Sequence, residues 1–238
     1  MMIVNGKIMR LDKFLSESSP FSRRELRSII RGKRVCVDGM CVNSPEFQVC
    51  ENSAVSVDGK IYPYRKFIYL MLNKPAGYLS ATEDDRDPVV TDLVPEELRH
   101  FDVFPAGRLD KDTEGLLLLS NDGDFCHRLM SPRKSVFKRY FARLDAPATE
   151  DDVKLFASGM DLGDFTAAPG RLFLTENPCE VYVEIAEGKF HQVKRMCANA
   201  GKNVLSLKRV AIGALQLDPA LQPGDIRELT ESELTLFD

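Results

Sequence analysis

Strand-like apolar runs outnumber helical ones in this 238-residue sequence, and they do not alternate with helices in the regular order a parallel sheet needs. The runs fall at residues 68–73, 103–105, 115–120, 138–144, 181–186 and 204–212, against helical patterns over 123–130, 150–158 and 190–200. The implied class is α+β, a mixed, mainly antiparallel sheet flanked by helices. A different pattern precedes it. Leu11, Phe14 and Leu15 sit at i, i+3, i+4, and Leu26, Ile29 and Ile30 repeat that spacing, so two short amphipathic helices come first. Ser22-Arg23-Arg24-Glu25 reads as a capping box opening the second helix, and Gly32 closes it. Val35, Val37 and Val42 around Asp38-Gly39, then Val55 and Val57 before Asp58-Gly59, predict a small β unit with tight turns. The organisation read from this is a small α/β domain over 1–60, with 1–8 as an extension, a linker at 61–66 around Pro63, and a second domain over 67–238.

The longest apolar stretches, 67–72 and the four leucines 116–119, fall far short of the ~20 residues of a bilayer-spanning helix. The first ten residues lack the features of a secretory signal, so a cytoplasmic protein with no membrane partner is expected. The six cysteines contain no C-x-x-C pair, and with three histidines they form no zinc-spacing pattern; reduced, mostly buried thiols and metal-free chemistry follow. Net charge is −4, but unevenly divided: residues 1–60 carry ten Lys+Arg against seven Asp+Glu. Arg23, Arg24, Arg27, Arg31, Lys33 and Arg34 crowd into twelve positions where Glu25 is the one acid. A basic run alone usually marks a solvated helix face; at this density, with a β unit directly after it, phosphate binding is the better reading.

Three stretches carry chemistry. Gly107 and Gly115 bracket Arg108-Leu109-Asp110-Lys111-Asp112-Thr113-Glu114, which feeds the leucine run. Such a loop is either a surface turn whose aspartates bond nearby amides or a catalytic loop on a rigid strand. Along the 190–200 helix, Phe190, Val193, Met196, Cys197 and Ala200 gather on one face, with Lys194 at its margin and Arg195 pointing nearly away, free for solvent or phosphate. Lys194 either meets an acid at the core edge or snorkels to water. Finally, Arg133, Lys134, Lys138, Arg139 and Arg143 enclose Tyr140 and Phe141 with no acid from 125 to 144, which suits RNA or a lysine-guarded edge strand.

MRLDKFL, SRRELRSIIRGKRVCVDG and CVN resemble the S4-type RNA-binding domain, which implies RNA contacts for Arg10, Lys13, Arg23, Arg24, Arg27, Lys33 and Arg34. With MLNKPAGY, FPAGRLDKDTEGLLLLSNDGDFCHRL, KRYFARL and EGKFHQVKRMCANAGKNVLSLKRVAIG in order behind it, the chain resembles the RsuA-type pseudouridine synthases along almost its whole length. The resemblance implies isomerisation of uridine to pseudouridine in ribosomal RNA, most closely the small-subunit 16S rRNA, without metal or cofactor. The partner is then ribosomal RNA, free or in a partly assembled small subunit, and the protein a monomer.

By the same resemblance Asp110 is the reacting carboxylate and Lys194, where most relatives outside this subgroup have arginine, pairs with it. Tyr140 stacks on the uracil, or is a plain strand aromatic. Arg108 fills the space a flipped-out base leaves. Leu207 walls the site opposite Tyr140, or packs the core. Arg195 is counted with the substrate-binding residues, as are Asn73 and Lys74 in a support role only. The alternatives are a large-subunit 23S rRNA enzyme of the same family and a non-catalytic S4-domain ribosome assembly factor.

Overall fold

The computed structural model describes residues 7–130 and 136–237. Its internal contacts divide the chain into two compact units: residues up to Ile68 together with Pro95–Asp102, and Tyr69–Val94 together with Val103 onward.

In the first unit, β1 (Ile8–Arg10) leads into α1 (Leu11–Ser18) and α2 (Arg23–Arg31), followed by β2 (Val35–Val37), β3 (Met40–Val42), β4 (Gln48–Cys50), β5 (Val55–Val57) and β6 (Lys60–Ile61). Ser22 and Glu25 form a reciprocal capping box at the start of α2. At its end Gly32 is the cap residue with φ −74°, and the left-handed step falls to Lys33, φ 56°. Strands β3-β2-β5-β6 form an antiparallel sheet, and β1 pairs with β4. Both Asp-Gly turns are two-residue loops with positive φ at each position (48° and 84°, then 49° and 84°), a twist that glycine adopts freely and aspartate tolerates. The helices bury Leu11, Phe14, Leu15, Leu26, Ile29 and Ile30 against Val35, Val37, Val55 and Val57. Each such side chain contributes roughly 1.5–3 kcal/mol on burial.

Two expectations need correction here. The 61–66 stretch is not a free linker but packs on the first unit: the Tyr64 ring lies tilted against Phe14 and donates its hydroxyl to Glu17, while Tyr62 packs on Phe21. The cysteines are not all reduced thiols either. Cys36 and Cys41 form a disulfide, because the tight Asp38-Gly39 loop sets them directly opposite each other across β2 and β3. Cys126 and Cys197 are buried free thiols, and Cys50 and Cys179 are half-buried.

The second unit is built on β7 (Tyr69–Lys74), β8 (Phe104–Pro105), β9 (Glu114–Ser120), β10 (Lys138–Leu144), β11 (Met160–Asp161), β12 (Thr166–Ala167), β13 (Arg171–Leu174), β14 (Glu180–Ile185), β15 (Val204–Ile212), β16 (Leu215–Gln216) and β17 (Ile226–Glu228). The main sheet runs β13-β14-β10-β15-β9-β7-β17, with β16 on β15 and β8 on β9. Its β15–β9 pair is parallel and the other pairs are antiparallel, so the fold is α+β with a mixed sheet. Helices α3 (Gly123–Met130), α4 (Glu150–Ser158), α5 (Gln192–Asn199) and the short α6 (Glu231–Leu234) complete it. Phe125 and Leu129 of α3 pack on Met71, Leu116 and Leu118, and α4 packs on β13. Among the described residues no helix is long and apolar enough to cross a membrane.

The parallel junction depends on Gly115. It has φ 101°, and a Cβ there would collide with the Arg209 carbonyl oxygen of β15. The 190–200 helix is shorter than its periodicity predicts: α5 begins at Gln192, and Phe190, placed on the core face by the pattern, is 72% exposed. The chain bends just before α5 because His191 takes a left-handed conformation, φ 50°, which breaks the helical phase.

Candidate active site

The loop between Gly107 and Gly115 is held from behind, and that is what presents Asp110. Lys74 at the end of β7 is fully buried, and its ammonium donates to the carbonyls of Pro75 (3.0 Å), Asp110 (3.2 Å), Lys111 (3.2 Å) and Thr113 (2.9 Å). Burial pulls this lysine down to about 8, with Asp112, Asp110 and Glu114 acting in the opposite sense. Ser80 pins the other side of the loop: its hydroxyl donates to the Leu109 carbonyl at 2.9 Å and accepts from the Leu109 amide at 3.0 Å. These two anchors, Lys74 and Ser80, hold the backbone on either side of Asp110 and so fix where its side chain emerges.

Each Asp110 oxygen faces a basic group. Oδ2 lies 3.3 Å from Lys194 Nζ, and Oδ1 lies 3.6 Å from His191 Nε2. Lys194, with its side chain 22% exposed, also donates to Asp112 Oδ1 at 2.5 Å, and that hydrogen bond holds Asp112 below the usual carboxylate range. A point charge on a flexible stem can bridge two carboxylates, where a planar guanidinium fork would favour one. The 187–192 turn is fixed by Gln192, buried, which accepts from the Lys189 amide and donates to Glu187; Glu187 in turn accepts from the Ala168 amide.

Asp110 opens into a cavity of about 360 Å³ lined also by Arg108, Thr113, Tyr140, His191 and Leu207. Tyr140 on β10 and Leu207 on β15 are 7% and 6% exposed and form apolar walls; Arg108 is exposed at the mouth. Directly across the ladder from Tyr140 stands Arg209, a buried guanidinium whose Nε donates to the Leu116 carbonyl at 2.8 Å.

Other residues named from the sequence lie elsewhere. Asn73 and Lys74, counted with substrate binding, are buried and their side chains are taken up by backbone carbonyls, Asn73 donating to that of Leu221. Arg195 is not free for phosphate. It forms an ion pair with Asp164, donates to the Leu162 carbonyl at 2.6 Å and lies over the Phe165 ring, because the β11–β12 loop folds against that side of α5. Lys138 is also turned inward, 5% exposed, its ammonium on the Ala186 carbonyl and lowered by burial and the nearby Arg209 charge. Arg133 and Lys134 lie outside the described residues. His191, Ser80 and Asp112 were missed as site residues. The H-Q-V-K run was the signal for His191, but only its left-handed backbone brings the ring to Asp110.

In the first unit, Arg23, Arg24, Arg27 and Arg31 line one open, cationic surface on α2. Arg23, Arg24 and Lys33 have no ion pair among the described residues. Arg10 pairs with Asp12 and Glu46, Lys13 with Glu17 at 3.8 Å, and Arg34 with Asp58.

Comparison with known proteins agrees with this layout. Residues 68–199 match the family model described as RNA pseudouridylate synthase, and residues 9–55 match the S4 domain. The uncharacterized RNA pseudouridine synthase YtzG of Bacillus subtilis (strain 168) is 46% identical over 235 residues, spanning 96% of this chain and 98% of that one. Ribosomal small subunit pseudouridine synthase A of Escherichia coli (strain K12) is 40% identical over 230 residues, spanning 95% of this chain and 98% of its own. A solved pseudouridylate synthase is 33% identical and superposes with TM-score 0.68 over 97% of this chain and all of that one. The buried loop clamp, the carboxylate it presents and the S4 unit ahead of them are thus parts of an enzyme, and the chain belongs to the RsuA-type family of RNA pseudouridine synthases.

Proposed function

We propose that this chain converts one uridine of small-subunit 16S ribosomal RNA to pseudouridine, with Asp110 as the reacting carboxylate and no cofactor. The observation that carries the reading is the Asp110 carboxylate, set between Lys194 and His191 at the floor of a cavity walled by Tyr140 and Leu207. The 40% identity to the small-subunit enzyme over 95% of the chain supports the choice of RNA.

The reaction breaks the bond from uracil N1 to ribose C1′, turns the base, and forms a bond from C5 to C1′; the C5 proton leaves and a proton is returned at N1, so no electrons are gained or lost. The target must be extruded from its stack to reach Asp110, and Arg108 at the cavity mouth supplies a flat cation to occupy the vacated place. Tyr140 and Leu207 sandwich the uracil while it is detached. Asp110 acts on the ribose or base as nucleophile or base, and the ammonium of Lys194 offsets its charge in a site that substrate closes to water.

Mapping pseudouridines in ribosomal RNA from cells with and without the gene tests the reading: one 16S position should lose its modification and regain it on complementation. In purified protein, Asp110→Asn should abolish turnover with RNA affinity nearly unchanged. Residual turnover above a few per cent would reject the role of Asp110, and a lost 23S position would reassign the substrate.

A further inference from the structure

Half of the 138–144 motif is not used by the Asp110 cavity. Alternation along β10 turns Lys138, Tyr140 and Ala142 inward, whereas Arg139, Phe141 and Arg143 face the opposite side of the sheet. In register, Phe141 stands opposite Tyr182 of β14 and Lys208 of β15, and Tyr182 stands opposite Phe173 of β13. Phe173, Tyr182, Phe141 and Lys208 therefore form one row across four strands. The Phe141 and Tyr182 rings are 5.4 Å apart, and the Arg139 guanidinium lies 4.4 Å from the Tyr182 ring centre and 5.4 Å from that of Phe173.

The row is open at its edge: Phe173 is 39% exposed, Tyr182, Phe141 and Lys208 are half-buried, and the flanking Arg143 and Arg171 side chains are 62% and 61% exposed. The solvent face of an antiparallel sheet is ordinarily polar, so three aromatic rings in register there need a reason. Cross-strand ion pairs account for some of the charge, since Glu184 pairs with Arg139 and Arg171, and Glu180 with Arg143. They do not neutralise it. Arg139, Arg143, Arg171 and Lys208 stand beside Glu180, Glu184 and, in register with Lys208, Glu114, which leaves a cationic excess of one. An apolar protein surface would find these guanidiniums costly to cover, whereas RNA offers bases to the rings and phosphates to the cations.

We propose that this sheet face is a second RNA-contact surface, on the side away from Asp110, on which unpaired bases of a single-stranded segment stack on Phe173 and Tyr182 while Arg143, Arg171 and Lys208 hold phosphates. It takes from the proposed function only that the protein works on RNA, and it holds whichever uridine is modified. Strand spacing of about 4.8 Å places the three rings along roughly 10 Å, room for two or three stacked nucleotides.

The test uses the full chain and a fluorescein-labelled 12-nucleotide oligouridylate, with affinity read by anisotropy and contacts by ultraviolet cross-linking and peptide mapping. Phe173→Ala with Tyr182→Ala should weaken binding about fivefold or more, Tyr182→Phe should retain it, and cross-links should fall on the Phe173 and Tyr182 peptides. Unchanged affinity in a folded double variant, or cross-links confined to peptides carrying Arg23–Arg31 or Asp110, overturns the proposal. Should the double variant unfold by circular dichroism, the edge-strand variant Phe173→Ser takes its place with the same criteria. Unchanged oligonucleotide affinity combined with lost binding to small-subunit particles assigns the face to a protein partner and also overturns it. Asp110→Asn serves as the control: if it still isomerises uridine, the catalytic reading fails while the binding comparison stands.

Discussion

At the scale of single residues, the site depends most on a side chain that never meets substrate. Lys74 gathers four carbonyls from Pro75 and from the loop that carries Asp110, in a place water does not reach. Lys74→Met keeps the stem and removes the donor, leaving those carbonyls unsatisfied. The expected loss is about 3 kcal/mol of stability by urea denaturation, with turnover falling further than stability alone accounts for as the loop loosens. Full activity at normal stability in this variant would mean that the clamp is dispensable. The motif around Lys74 was legible in sequence, and so was the charged loop. Their connection was not, because 36 residues separate Lys74 from Asp110 and only the β7–β9 pairing brings them together. The same holds for Arg195. Helical phase correctly turned it away from the core, but the Asp164 loop that captures it comes from a hairpin with no strong pattern.

Among the secondary-structure elements, the β9–β15 junction is the least forgiving. Gly115→Ala meets both a left-handed φ and the Arg209 backbone, so it should cost about 3–4 kcal/mol or more and lower the melting temperature and soluble yield sharply. Acid loosens a different element, the last strand. Arg227 of β17 pairs with both Asp218 and Glu233, which ties α6 to the sheet edge. The Arg227 hydrogen bond holds the Glu233 carboxyl at about 2, below its ordinary 4.5. Because the folded value is the lower one, this contribution is complete above pH 4.5 and is lost as pH falls towards 2. Glu233→Gln should therefore lower stability by about 1–2 kcal/mol at pH 6, and the difference from the parent should shrink by pH 2.5 in thermal unfolding. Several elements were readable in advance at their observed bounds, among them β10, β15, α3 and α4, since each carries its own apolar period. Strands β13 and β17 were not. They are short edge strands whose pairing partners, rather than their own sequences, make them strands.

On the scale of the whole molecule, charge is divided between a basic leading segment and an acidic remainder. Replacing Arg23, Arg24 and Arg27 by alanine should weaken RNA binding and reduce the slope of log affinity against log salt by about 2, with turnover at saturating RNA preserved. An unaltered slope in a filter-binding titration would remove α2 from the RNA interface. The sequence by itself determined the two classes of element, the tight Asp-Gly hairpins, the cation cluster and the family, because each is written in residues close together along the chain. Only the folded chain shows that His191 joins Lys194 at Asp110, that Lys194 serves a second carboxylate, that Cys36 meets Cys41, and that the rings and cations of β10 fall on two faces of the sheet. Those outcomes depend on strand register and on a left-handed turn at His191, which are set by distant packing that no local period records.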